Sequence, residues 1–448
     1  MENILSTIRP NLEKILLFAV FVFLLAAAIA FNRPSFFIIT ALLFGVFFFF
    51  KKQLWLALVL ALPALPLGNV LSIELRPFWN YELSIAEALL LLALAVFLLD
   101  RFLSIRTAEI RFDAVAFFLL LYFALAAGSI WQAVDFKYYL FGLKAIFFSF
   151  AGYLLALNLI DSKRKIRTML YSAAVALLIL SIQIFYKFYQ LGFSEKLFFE
   201  RKLIILPLGP LATIVSIIAF LLPVVLAFFL HEDDLKNKAV IFPIFCFGAF
   251  ALFVSLGKAA ILAFVVSMSY LLFKIKKTRG FFLLVLVLAA MAGALLFTPL
   301  AAGLLTRIRT TFVDVNTRFR LLEYQTAAAL IKDHLLFGVG SGQQLYYFKK
   351  MMNLDTSELV NNFFLQALID FGLLGLLCAA MVLFSLWQKT VRIVRGADPK
   401  QTLLYAGLAA ALLGSLVTGV LEVTFFALPF AVVFWLTVGT LMNLKYYE

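Results

Sequence analysis

Long apolar runs alternate with short charged clusters along the whole of this 448-residue chain. Apolar runs of about 18 residues or more have the length that crosses a bilayer as a helix. About fourteen such stretches can be drawn, each near the crossing length: 12–31, 35–50, 53–69, 84–100, 113–131, 138–160, 169–190, 211–230, 239–256, 258–275, 280–298, 362–387, 402–421 and 424–443. The second and third are short and are joined only by Lys51-Lys52, and the break at Gly257-Lys258 is tight. The pattern predicts an all-α polytopic membrane protein with about 12–14 transmembrane helices and one long extracytoplasmic loop. It divides the chain into a helix bundle (1–298), the loop with its short helices (299–361) and C-terminal spans (362–448).

Composition agrees with the pattern. Hydrophobic residues make up 65% of the chain and charged ones 14%, more apolar surface than a water-soluble domain needs. The net charge of +14 would suit nucleic acid, but it is spread over many short loops rather than one face. Short basic loops are what the positive-inside rule produces. With the N-terminus inside, the cytoplasmic clusters are Lys51-Lys52, Arg101 to Arg111, Lys163 to Arg167, residues 231–238, Lys274 to Arg279, and Lys389 to Lys400. The C-terminus then also falls inside. The first apolar run ends in Ala28-Ile29-Ala30, a weak cleavage-site pattern, and in a chain of many spans it is expected to stay as a helix. Cys246 and Cys378 both lie in apolar runs and form no metal or disulfide signature.

That topology places 193–210, the turn at Lys258, and 299–361 on the outer side. A loop as long as the last is usually functional. Within it, Arg318 to about Lys332 reads as a helix, with Arg320 and Tyr324 four apart on one face. Gly338, Gly340 and Gly342 follow and are expected to form a flexible turn. They come after a helix rather than linking a strand to one, so the context is wrong for a nucleotide site.

The outer cations carry more information. Arg201, Lys202, Lys258, Arg318 and Arg320 lie where positive charge is normally avoided. Snorkelling to headgroups explains any one of them. Several on separate loops point to a shared anion pocket, and arginine's planar fork suits phosphate oxygens. Lys144 lies inside a span, about two turns from its outer end, and is a further candidate. Asp370 and Glu422 are the acidic counterparts available to pair with such cations. No metal-ligand cluster and no cofactor motif is present in the sequence.

Taken in order, these residues resemble a family. An outer-loop arginine precedes a long apolar span. A tight turn carries a cation. Arg320-x-x-x-Tyr324 precedes Gly338-x-Gly340-x-Gly342, and VNNFFLQ opens a helix that runs into GLLG. The whole is similar to the O-antigen ligase and polymerase superfamily, best over residues 193–385. That resemblance implies a bacterial inner-membrane glycosyltransferase with its active site on the extracytoplasmic face. Its donor would be an undecaprenyl-diphosphate-linked glycan, and its acceptor another glycan or lipid A core. Membrane lipids would surround it, with no nucleic acid partner.

By the same resemblance, Arg320 matches the family's loop arginine, with Tyr324 in the usual tryptophan position. Arg201, or Lys202 beside it, matches a second arginine. Lys258 stands in a Ser-Arg-Gly position, and Leu335 replaces a proline. Asn361 occupies the place of the family's proposed catalytic histidine, and Asn362 matches the asparagine after it. An asparagine has no protonation equilibrium near neutral pH and is no general base, though it can orient a sugar hydroxyl. Helix capping is the plain alternative for both amides. Glu323 and Glu358 are the loop carboxylates expected to take the proton, and His231 and His334 are poorly placed. Arg201, Lys258 and Arg320 would hold the diphosphate, so the reaction would be metal-independent and inverting. The rival readings are a lipid-linked oligosaccharide transporter, which would show a repeat between halves, and a non-catalytic envelope-glycan scaffold.

Overall fold

The computed structural model describes residues 53–74, 82–103, 110–191, 204–274, 315–353, 359–396 and 399–443. These are almost entirely helical. In chain order they are α1 (Trp55–Ala64), α2 (Ile85–Leu103), α3 (Ala114–Gly128), α4 (Phe136–Leu159), α5 (Lys163–Gln190), α6 (Leu211–His231) and α7 (Leu235–Ser255). After these come α8 (Lys258–Lys274), α9 (Val315–Asp333), α10 (Gln344–Met351), α11 (Phe363–Gly396), α12 (Pro399–Leu421) and α13 (Leu428–Leu441). Two antiparallel hairpins interrupt them, with Ser72 opposite Ser84 and Ile205 opposite Pro210.

The protein is an all-α polytopic membrane protein. Seven helical stretches among the described residues are long and apolar enough to cross a membrane. They begin at Ala114, Phe136, Lys163, Leu211, Leu235, Phe363 and Gln401. The other expected spans that fall in described regions appear as α1, α2, α8 and α13, helices of 10, 19, 17 and 14 residues. The stretches expected at 12–31, 35–50 and 280–298 lie outside the described residues.

Polar residues start these helices. Asp113 accepts from the Ala116 amide at 2.9 Å, Asp135 from Lys137 at 2.8 Å, and Asp234 from Lys236 at 3.0 Å. Ser84 and Glu87 form a reciprocal capping box at the start of α2, with bonds of 2.8 and 3.3 Å. Within the spans, buried hydroxyls bond back to the carbonyl four residues earlier, as Ser149 does to Ala145 and Ser267 to Ala263. No water competes in lipid, so each polar group must be satisfied internally. The turn between α7 and α8 is made by Leu256 in the left-handed region (φ 53°), not by the adjacent glycine.

Helix α6 is the hub, packing on α5, α7, α8, α12 and α13. Lipid tails are as apolar as leucine, so hydrophobic transfer does not drive these contacts, and close van der Waals approach does. Small residues provide it. A Cβ at Gly407 of α12 would lie 2.3 Å from the Ala227 Cβ of α6, and one at Gly439 of α13 would lie 2.8 Å from the Ala156 Cβ of α4. A second, smaller apolar core lies beyond the bundle. Ala327 and Leu330 of α9, Phe348 of α10, Val339, Val360 and Ile369 of α11 form it. Tyr324 of α9 and Leu365 of α11 pack against this core.

Candidate active site at the α9–α11–α12 junction

Three elements meet at one point. α9 presents Arg320, Glu323 and Tyr324, at the i, i+3 and i+4 positions of one face. The chain entering α11 brings Asn361 and Asn362. The end of α12 brings Val420 and Glu422. The Arg320 guanidinium bonds the Glu422 carboxylate at 2.9 Å. The Asn361 amide nitrogen donates to both Glu323 oxygens, at 3.2 and 3.0 Å. The Tyr324 hydroxyl donates to the Asn361 carbonyl at 3.4 Å.

The two asparagines divide their work. Asn362 is the N-cap of α11, accepting from the amides of Phe364 and Leu365 at 2.9 and 3.0 Å. Its own amide donates to the Val420 carbonyl at 3.1 Å, tying α11 to α12. Asn361 is no cap. Its amide nitrogen is turned to Glu323, so its side-chain oxygen points away from that carboxylate. Glu323 is 1% exposed and lies behind Asn361. Burial pushes the Tyr324 hydroxyl above its usual range, Arg320 opposes this, and Glu323 and Glu422 reinforce it. Tyr324 therefore stays protonated and acts as a donor.

The glycine turn departs from expectation. It is not a flexible linker, because residues 338–345 are buried. Gly338, Gly340 and Gly342 all have positive φ, and a Cβ at Gly342 would lie 2.1 Å from the Tyr138 carbonyl of α4. The turn docks into a break in α11 at Gly372 (φ 64°, ψ −156°). Val339 and Gly340 donate to the carbonyls of Ile369 and Asp370 at 2.9 and 2.8 Å, and Leu373 donates to Leu335 at 2.9 Å. These bonds satisfy groups that the helix break frees.

The other expected site residues lie as follows. Lys144 pairs with Glu87 of α2 at 2.8 Å inside the bundle, a partner from another helix. Arg318 is exposed on α9, and Lys258 is the exposed first residue of α8. Asp370 bonds the Gln366 amide at 2.8 Å rather than a cation. His334 stands against the Tyr347 ring at 6.2 Å, and His231 ends α6. Arg201, Lys202 and Glu358 lie outside the described residues. Glu422 pairs with an outer cation, as the sequence suggested it could, though the sequence did not say which. It lies 102 positions from Arg320, and its only signal was a carboxylate at the mouth of an apolar run.

Residues 243–380 match the model of a family described as O-antigen ligase. The match supports the O-antigen ligase/polymerase superfamily. No curated protein matches the chain. The O-antigen ligase segment contains Lys258, Arg318, Arg320, Glu323, Tyr324, the glycine turn, both asparagines and the α11 break. Lys144, Arg201, Lys202 and Glu422 fall beyond its limits. The junction therefore joins residues of the matched segment to a carboxylate that a later helix supplies.

Proposed function

We propose that this protein is a membrane glycosyltransferase that moves a glycan from an undecaprenyl-diphosphate donor to a sugar hydroxyl, inverting the anomeric carbon. In this reading it sits in the bacterial inner membrane with both termini cytoplasmic, and the junction faces outward. The observation that carries the reading is the pairing on α9. Arg320 and Glu323, three residues apart, engage Glu422 and Asn361 respectively.

An inverting displacement needs the leaving group and the incoming hydroxyl on opposite sides of one carbon. Neighbours at i and i+3 stand about 5–6 Å apart at their Cβ atoms, which leaves room for that carbon between their side chains. Arg320 takes the diphosphate side, and cationic hydrogen bonds there stabilise charge developing on the leaving group. Glu422 aims the guanidinium until the anion arrives. On the other side the acceptor hydroxyl displaces the Asn361 amide from Glu323, is oriented by that asparagine and gives its proton to the freed carboxylate. The amide that holds this carboxylate is the residue standing where the family resemblance expects a histidine. Lys258, Arg318, Arg201 and Lys202 supply further positive charge for the donor, and Glu358 a further carboxylate.

The test is transfer from a synthetic undecaprenyl-diphosphate glycan by purified protein, with Arg320→Ala and Asn361→His beside wild type. Product that collapses in Arg320→Ala is expected, as is measurable transfer by Asn361→His with a new pH dependence near neutrality. Undiminished product from Arg320→Ala would sink the reading. A wild type that binds the lipid yet makes no product with any acceptor would put a transporter or scaffold in its place.

A further inference from the structure

Two helices measure the depth of the glycine turn independently. At one end of the bundle, Lys389 of α11 pairs with Asp113, the cap of α3. From Lys389 to the break at Gly372 is about 26 Å of helix, at about 1.5 Å per residue. From Asp113, α3 and the 3-10 turn that follows it (Ser129–Gln132) together span about 30 Å. Both lengths are close to the bilayer hydrocarbon thickness of about 30 Å. The glycine turn bonds to both far ends. Leu373 donates to Leu335, and Ser341 donates to the Ser129 hydroxyl at 3.0 Å. The Gln343 side chain accepts from the amides of Val134 and Asp135, both at 2.9 Å.

At this level apolar side chains point outward. Leu335, Leu336 and Phe337 are consecutive and exposed, Phe337 to 62%, and Trp131 on the neighbouring turn is 93% exposed. Below them on α11, Leu373, Leu377, Met381 and Phe384 are all exposed at helical spacing, forming one stripe that faces away from the core. The Leu373 amide is the one that bonds Leu335, so the loop residues continue the stripe.

We propose that Leu335, Leu336 and Phe337 form an apolar foot that seats in the boundary of the lipid bilayer, with Trp131 as its aromatic anchor. The occupant is bilayer lipid, because the foot is continuous with a lipid-facing helix stripe and lies one membrane thickness from the Asp113–Lys389 end. Trp at such a boundary has its ring among headgroups. If the glycosyltransferase reading is right, the foot holds Arg320 at the depth of a lipid diphosphate. Insertion itself does not depend on that reading.

The test uses protein in liposomes with Cys246 and Cys378 replaced by alanine and a nitroxide at Phe337→Cys. Labels at Phe384→Cys and Lys349→Cys serve as lipid-facing and water-facing references. Collisions with oxygen are expected to exceed those with a water-soluble nickel complex at 337 and 384, and to fall below them at 349. A label at 337 that behaves like the one at 349 would overturn the proposal. So would a label shielded from both reagents with spin–spin broadening, which would mean that a second copy of the chain covers the foot. Independently of the cysteine changes, brominated lipids should quench wild-type tryptophan fluorescence more than that of Trp131→Phe. Equal quenching also overturns it. Both readouts measure depth without turnover, so failure here is separable from failure of the proposed activity.

Discussion

Two ion pairs in this protein have nearly the same length and opposite settings. Lys144–Glu87, at 2.8 Å, is sealed in the bundle between α4 and α2, its side chains 15% and 5% exposed. Arg320–Glu422, at 2.9 Å, stands at the junction with 35% and 21% exposure. A buried pair loses hydration on both sides and regains it only through its partner and the hydrogen bonds around it, here the Ser84 amide on Glu87, so removing one partner leaves the other's charge uncompensated. A partly wetted pair opens at little cost, because water compensates both charges. The sealed pair is therefore structure. In the proposed function the open pair is a cation held ready, able to exchange its carboxylate for an anionic ligand.

The sharpest way to break this contrast is Lys144→Met. It strands Glu87 in the bundle and should cost about 3–5 kcal/mol of stability. Lys144→Met with Glu87→Gln should recover most of it, with transfer per folded molecule unchanged. Denaturant unfolding in detergent beside the transfer assay measures both. A stable Lys144→Met without turnover would move the lysine into the active site.

Arg320→Ala is the mirror experiment. Transfer should fall by roughly 10²–10³-fold, the scale for losing one donor to a developing charge. Unfolding should shift by less than about 1 kcal/mol. A large stability loss instead would make the open pair structural too.

The adjacent amides sharpen the comparison at smaller scale. Asn362→Ala removes the α11 cap and should cost about 1 kcal/mol of stability, seen as a lower unfolding midpoint, with transfer retained. Asn361→Ala should do the reverse, losing transfer at little cost in stability. Smallest is Glu422→Gln. The amide still accepts from Arg320 but no longer competes with the diphosphate as a charge, so the donor KM should fall roughly threefold. A raised donor KM would mean that the carboxylate aims the guanidinium more than it competes for it.

Much of this was legible in the sequence. Span placement follows from hydrophobic length, and helices appear at 211–231, 235–255 and 258–274 within a few residues of the runs that announced them. The loop helix expected from Arg318 to Lys332 is Val315–Asp333. The cap role of Asn362 is local chemistry, three residues in extent. The glycine turn was misread because glycine spacing does not reveal what stands opposite. The same residues serve a flexible linker or a backbone pressed against another backbone, and here the latter holds at Tyr138 and Asp370.

The sequence by itself determined what short-range physics controls: which stretches are helical, which are apolar enough for lipid, and which residues of α9 share a face. Tertiary structure alone decided the partners. Arg320 meets Glu422 across 102 positions, Asn361 meets Glu323 across 38, and Asn362 meets Val420 across 58. Helical periodicity fixes direction within one helix only. Which carboxylate faces which cation depends on how close-packed small residues set α12 against α6 and how the glycine turn locks into the break in α11. The same packing sealed Lys144 in the bundle and left Arg320 open.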